Sequence, residues 1–103
     1  MKINGLLPVG SVVQLKEGTK KIMIMGLLQQ KLEQDSKNIY DYVGVPFPEG
    51  FQSAEMNYLF NSSQIDKLFF IGYQDDESLA YKERVDSFID SLRKKEQENG
   101  LDS

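Results

Sequence analysis

Any chemistry in this chain would have to do without thiols and imidazoles, because its 103 residues include no cysteine and no histidine. That rules out thiol nucleophiles, imidazole general bases, Ser-His-Asp triads, haem ligation through His or Cys, and zinc sites built of Cys and His alone. Asp, Glu, Lys, Tyr, Ser and Thr remain. Asp41 and Glu49 are the acids nearest the aromatic segment, and two carboxylates in unlike environments can divide general acid and general base work. Nothing in their spacing brings them together, and the plainer expectation is Asp41 as an outward polar residue on a strand and Glu49 as a turn residue. Asp75-Asp76-Glu77 offers oxygens to a divalent cation, but neighbours at a helix start point in different directions and the alternating acids of a calcium loop are missing. Helix capping and dipole compensation are its expected role. Gly5 to Gly10-Ser11 has the glycine spacing of a phosphate loop without the lysine, and a strand follows it where a helix should. No catalytic residue, metal ligand or cofactor-binding residue is therefore assigned, and no cofactor is expected.

The aromatic residues say more. All 11 Phe and Tyr lie between Tyr40 and Phe88. Phe60, Phe70 and Phe88 are expected to join a sheet to a helix in the core. A chain this small cannot easily bury every ring, and aromatics presented on a stiff Pro-rich loop are typical anchors of protein interfaces. Tyr40, Tyr42, Phe47, Phe51 and Tyr73 are the candidate interface residues. Stacking on single-stranded nucleic acid would use similar side chains, but 12 Lys+Arg against 16 Asp+Glu argues against binding phosphates.

The length suits one domain spanning residues 1–103. The longest apolar run, Ile22 to Leu28, is far short of the ~20 residues of a membrane helix. No signal peptide is expected either, since Pro8 and Gly10 interrupt the only apolar stretch near the start. A cytoplasmic protein without membrane or nucleic-acid partners is the expectation, and zero cysteine fits it.

Several elements must position these residues. Val12 to Lys16 and Ile22 to Leu28 read as two strands of a hairpin, with Gly18 supplying a positive φ in the turn. A continuous apolar run such as Ile22 to Leu28 suits a central strand covered on both faces. Gln29 to Lys37 reads as a wet turn, and Asn38 to Val45 as a third strand with Tyr40 and Tyr42 on one face. Pro46 to Phe51 is a fixed-shape loop. Ser53 to Phe60 has an N-cap type serine and apolar residues at helical spacing, predicting a short helix. Ile65 to Tyr73 is the strongest strand signal. Apolar residues spaced by three and four from Ala80 to Leu92 predict one long amphipathic helix over about Asp76 to Glu98, followed by a frayed tail over 99–103. The expected fold is α+β: β-β-β-α-β-α, an antiparallel sheet of about four strands covered on one face by the long helix.

Together, these segments resemble a known family. Leu7-Pro8-Val9-Gly10-Ser11-Val12-Val13, Gly18-Thr19-Lys20-Lys21-Ile22-Met23-Ile24, Tyr40-Asp41-Tyr42 with Gly44-Val45-Pro46-Phe47-Pro48-Glu49-Gly50, and Phe70-Ile71-Gly72-Tyr73 with Asp75-Asp76-Glu77 are similar to domain of unknown function 4176. The resemblance runs from about Leu6 to Phe88. It implies a bacterial protein encoded near type VII secretion components and LXG-type toxins, and it carries over no catalytic residue. Without tryptophan and with a strand-rich first half, the chain is unlike the helical WXG-type substrates of similar length.

The function expected from these readings is a non-enzymatic protein-binding module, an accessory or chaperone-like protein in the export of LXG-type toxins. An immunity protein that binds a toxin domain is one alternative, and a carboxylate-dependent enzyme using Asp41 or Glu49 is another. The partner would be a protein, and an exposed edge strand with an aromatic patch could also support a homodimer.

Overall fold

The computed structural model describes residues 5–30 and 39–101. It contains strands β1 (Val12–Leu15), β2 (Lys21–Gln30), β3 (Ile39–Pro46), β4 (Tyr58–Phe60) and β5 (Ile65–Phe70), and one helix, α1 (Asp76–Leu101). Single 3-10 turns occupy Ala54–Met56 and Ser62–Gln64. The architecture is α+β, with one antiparallel sheet ordered β4-β3-β2-β1-β5.

The β1–β2 hairpin forms where the alternation of β-branched residues places it, with Val13 opposite Ile22. Its turn differs from expectation in one detail. Glu17 takes the left-handed position at φ 65°, while the Gly18 N–H closes the turn on the Leu15 carbonyl at 3.1 Å. The expected turn over Gln29 to Lys37 begins later, because Gln29 and Gln30 belong to β2, and its remainder lies outside the described residues.

The sheet has five strands, not four. Met56, Leu59 and Phe60 have the spacing of a short helix, yet residues 54–56 make only one 3-10 turn and Tyr58–Phe60 pair with β3. Tertiary pairing overrides the local pattern: Phe60 stands opposite Tyr42, and the two rings pack at 5.3 Å between centroids. Across such a pair, aromatic contacts outweigh the weak helical preference of a three-residue segment.

β2 is the central strand. The side facing α1 carries Val13, Ile22, Ile24, Leu27, Tyr42, Phe60 and Ile65, which form one cluster with Leu6, Leu7, Val85 and Ile89. Full burial of an aliphatic side chain such as Val85 or Ile89 stabilises by roughly 1.5–3 kcal/mol, so these residues hold the helix on the sheet. The opposite face is not a second closed core. Val12, Val43 and Val45 are buried there, but Met25 is exposed at the middle of β2. Of the three phenylalanines expected to join sheet and helix, only Phe60 does so, and Phe70 and Phe88 lie more than half exposed.

α1 runs to Leu101, past the predicted end at Glu98 and into the expected tail. Its start is capped reciprocally. The Ser78 N–H donates to Asp75 Oδ1 at 2.8 Å and the Asp75 N–H donates to Ser78 Oγ at 2.7 Å. Asp76 and Glu77 lie in the first turn, where negative charge complements the helix dipole. Among the described residues no helix is long and apolar enough to cross a membrane.

Candidate functional site

The loop leaving β3 is braced at several points. The Phe47 N–H donates to the Lys21 carbonyl at 2.9 Å and the Gly50 N–H to the Pro46 carbonyl at 2.7 Å. Gly50 sits at φ 79°, a left-handed conformation that favours glycine, and the Phe47–Pro48 peptide is cis. Outside the backbone, Lys20 Nζ reaches Glu49 Oε1 at 2.6 Å and donates to Oε2 at 2.7 Å. Farther along, the Met56 and Asn57 N–H groups close the 3-10 turn on Ser53 and Ala54. Between these fastenings Phe47 and Phe51 face solvent, Phe51 with 62% of its surface exposed. Rigid presentation of apolar rings lowers the ordering entropy that a partner must overcome.

The bond from Lys20 holds the Glu49 carboxyl below the usual glutamate range, with backbone hydrogen bonding adding to the effect. A depressed carboxylate supports the fold above its unfolded pKa and loses that support as pH falls through the folded value. We therefore expect the Glu49 carboxyl, followed by side-chain NMR, to titrate below a free glutamate in the native protein and to move up toward the ordinary value in Lys20→Ala.

Tyr73 is 80% exposed and lies beyond a close crossing of two chain segments. The neighbouring Gly72 N–H donates to the buried Ser11 Oγ at 3.0 Å. A Cβ on Gly72 would overlap the Val9 carbonyl oxygen and crowd Gly10 C and Ser11 N at 3.0 Å, so only glycine fits. Tyr40 is half-buried and pairs with Gln29.

Tyr42 is not a surface residue. It is 0% exposed, and its hydroxyl accepts the Leu7 N–H at 2.9 Å and a second bond from Ser62 Oγ at 3.3 Å. Burial pushes its pKa above the ordinary value. Tyr42 thus pins the N-terminal segment and the 62–64 turn to the sheet, and it is removed from the interface candidates. The alternation that places Tyr40 and Tyr42 together also directs them to the face that α1 covers.

Asp41 departs from expectation in the same way. It is only 7% exposed, its Oδ2 accepts the Ser62 N–H at 2.9 Å, and its own N–H donates to Asn61 Oδ1 at 2.9 Å. These bonds tie β3 to the residues after β4. Asp41 lies near the start of β3 and Glu49 in the loop beyond its end, and the strand between Asp41 and Pro46 alone spans about 17 Å, so they form no acid pair. A cleft of about 420 Å³ nearby is lined by Gly5, Leu6, Asp41, Ser62, Asp86, Ile89 and Asp90. Asp86 and Asp90 were not singled out from the sequence, although their i, i+4 spacing puts both on one helix flank. Among the described residues no group of three or more acids is placed to hold a metal ion.

A small five-stranded antiparallel sheet, one covering helix and solvent-facing aromatics on fastened loops define a compact α+β domain whose distinctive surface is apolar. The family model for a domain of unknown function, DUF4176, matches residues 6–81, and the chain belongs to that family. Comparison with curated proteins and with solved structures finds no match.

Proposed function

We propose that the protein is a non-enzymatic binding module that presents Phe47 and Phe51 to a partner protein. The observation that carries this reading is the fastening of the loop: two backbone hydrogen bonds and the Lys20–Glu49 ion pair hold exposed rings that the core does not use. Tyr73, held out by the Gly72 crossing, and the half-buried Tyr40 complete the candidate set once Tyr42 is removed. In the setting that the family resemblance implies, the module is a cytoplasmic accessory in the export of LXG-type toxins, and the partner is a toxin or its targeting region.

The test is co-purification with each half of a toxin encoded beside the gene. An accessory retains the N-terminal targeting part, whereas an immunity protein retains the toxic C-terminal domain. Truncating an exposed anchor at an interface typically costs more than about 1 kcal/mol of binding and little folding stability. We therefore expect Phe51→Ala and Phe47→Ala each to weaken the complex about tenfold while shifting stability by less than about 0.5 kcal/mol. Retention of neither half, or unchanged affinity in both variants, would remove the proposal.

A further inference from the structure

Strand register puts an unusual combination on the sheet face away from α1. Lys67 on β5 and Lys21 on β2 both pair with Gln14 of the intervening strand and so share one row of that face. Phe70 stands in the adjoining row, opposite Val12, which also pairs with Met23; Met25, the extra residue of a bulge between Ile24 and Gly26, stands with Gly26 opposite Val43 on the same side. Phe69 joins them, since Lys21 Nζ lies 5.3 Å from its ring centroid. Phe69, Phe70 and Met25 are all exposed.

Charge separates this patch from the rest of the chain. The protein is net −4, yet Lys21 and Lys67 are exposed beside the apolar residues, and among the described residues only Lys20 forms an ion pair. The Phe69 ring beneath the Lys21 ammonium helps to place that charge beside the apolar residues, where an arriving carboxylate can pair with it. Size narrows the occupant. Strands β5, β1 and β2 set the lysines two strand spacings apart, about 10 Å, close to the diameter of one α-helix.

We propose that this face docks an acidic amphipathic α-helix of a partner protein, its apolar stripe on Phe69, Phe70 and Met25 and its flanking carboxylates on Lys21 and Lys67. The proposal rests on the protein-binding reading above and assigns that reading a second surface and a partner chemistry. Complementary charge here sets specificity and approach as much as affinity.

The test uses the full chain and two labelled synthetic peptides of about 18 residues, enough for five turns. Both carry leucines at helical spacing, one with glutamates flanking the stripe and the other with lysines. By fluorescence anisotropy the acidic peptide is expected to bind about tenfold tighter than the basic one. The preference should shrink as salt rises from about 50 to about 500 mM, and it should reverse in the Lys21→Glu/Lys67→Glu variant. Both substitutions are at exposed positions, and the milder Lys21→Gln/Lys67→Gln pair should abolish the preference without reversing it. Equal affinity for the two peptides, no binding of either, or an unchanged preference in the lysine variants overturns the assignment. So does a sedimenting dimer that Phe70→Lys dissociates, which would make a second copy the occupant. Lysine-dependent co-sedimentation with phosphatidylglycerol vesicles in place of peptide binding would assign the face to a membrane and likewise overturn it. Phe51→Ala separates the two readings: peptide binding that it leaves unchanged supports the sheet face, and binding lost there but kept in the lysine variants overturns the sheet face while leaving the loop reading intact.

Discussion

Gly72→Ala is expected to lower the unfolding free energy by about 3 kcal/mol or more, a large share of the roughly 5–15 kcal/mol that holds a domain together. The added methyl meets the Val9 carbonyl oxygen, Gly10 C and Ser11 N, all backbone atoms, so no side chain can swing aside to make room. To admit it, the 71–73 segment must withdraw from the 9–11 segment, which breaks the bond from the Gly72 N–H to Ser11 Oγ and frees β1 at the point where it enters the sheet. Gly50→Ala is the informative comparison. That position has φ 79° and nothing within 4 Å of its added Cβ, so the penalty is only the left-handed backbone, roughly 1–2 kcal/mol. Urea denaturation of the two variants should separate a steric effect from a conformational one. Equal losses would mean that the crossing is looser than described.

Tyr42→Phe is expected to cost about 1–3 kcal/mol, although it removes a single oxygen atom. The ring would still pack on Phe60, and what is lost is the acceptor for the buried Leu7 N–H and the partner of Ser62 Oγ. The loss has a pH signature. Burial raises the Tyr42 pKa, with nearby Asp41 and Asp86 adding to it and the bonds from Ser62 and Leu7 opposing it. A phenol that resists ionisation only in the folded state stabilises fully below its unfolded pKa, and that contribution disappears as pH rises toward the folded value. The stability difference between the native protein and Tyr42→Phe should therefore be largest near about pH 8 and shrink by about pH 11. A constant difference across that range would show that folding leaves the Tyr42 pKa unchanged.

These two positions illustrate how legibility in the sequence depends on range. The β1–β2 hairpin, β3, β5 and the long helix follow from periodicity within each segment. β4 does not, because in three residues a period of two cannot be told from apolar spacing within one helical turn, and only Phe60 facing Tyr42 decides it. The pairing of β5 with β1 joins Leu15 to Ile65 across the whole middle of the chain, and local pattern carries no trace of it. The candidate site divides along the same line. Phe47 and Phe51 were legible as exposed rings because proline and glycine fix the loop around them, whereas Tyr73 reads as part of a strand that ends earlier, at Phe70. Tyr42 and Asp41 were misplaced because their roles come from Leu7, Asn61 and Ser62, which sequence spacing does not bring near. The cleft with Asp86 and Asp90 likewise exists only once α1 lies beside the N-terminal segment.

The register shifts between β1 and β5 bear on how anything can be recognised. Pairing slips between Val12 and Val13 and again between Gln14 and Leu15, so the outer strand is bulged at both ends, while the opposite edge is the three-residue β4. Among the described residues neither border offers a long, even row of free amides and carbonyls as a template for main-chain strand addition. On the binding reading proposed above, recognition is left to side chains: a partner would be selected by the shape and charge of its own residues, and one with the wrong sequence would not substitute simply by being extended.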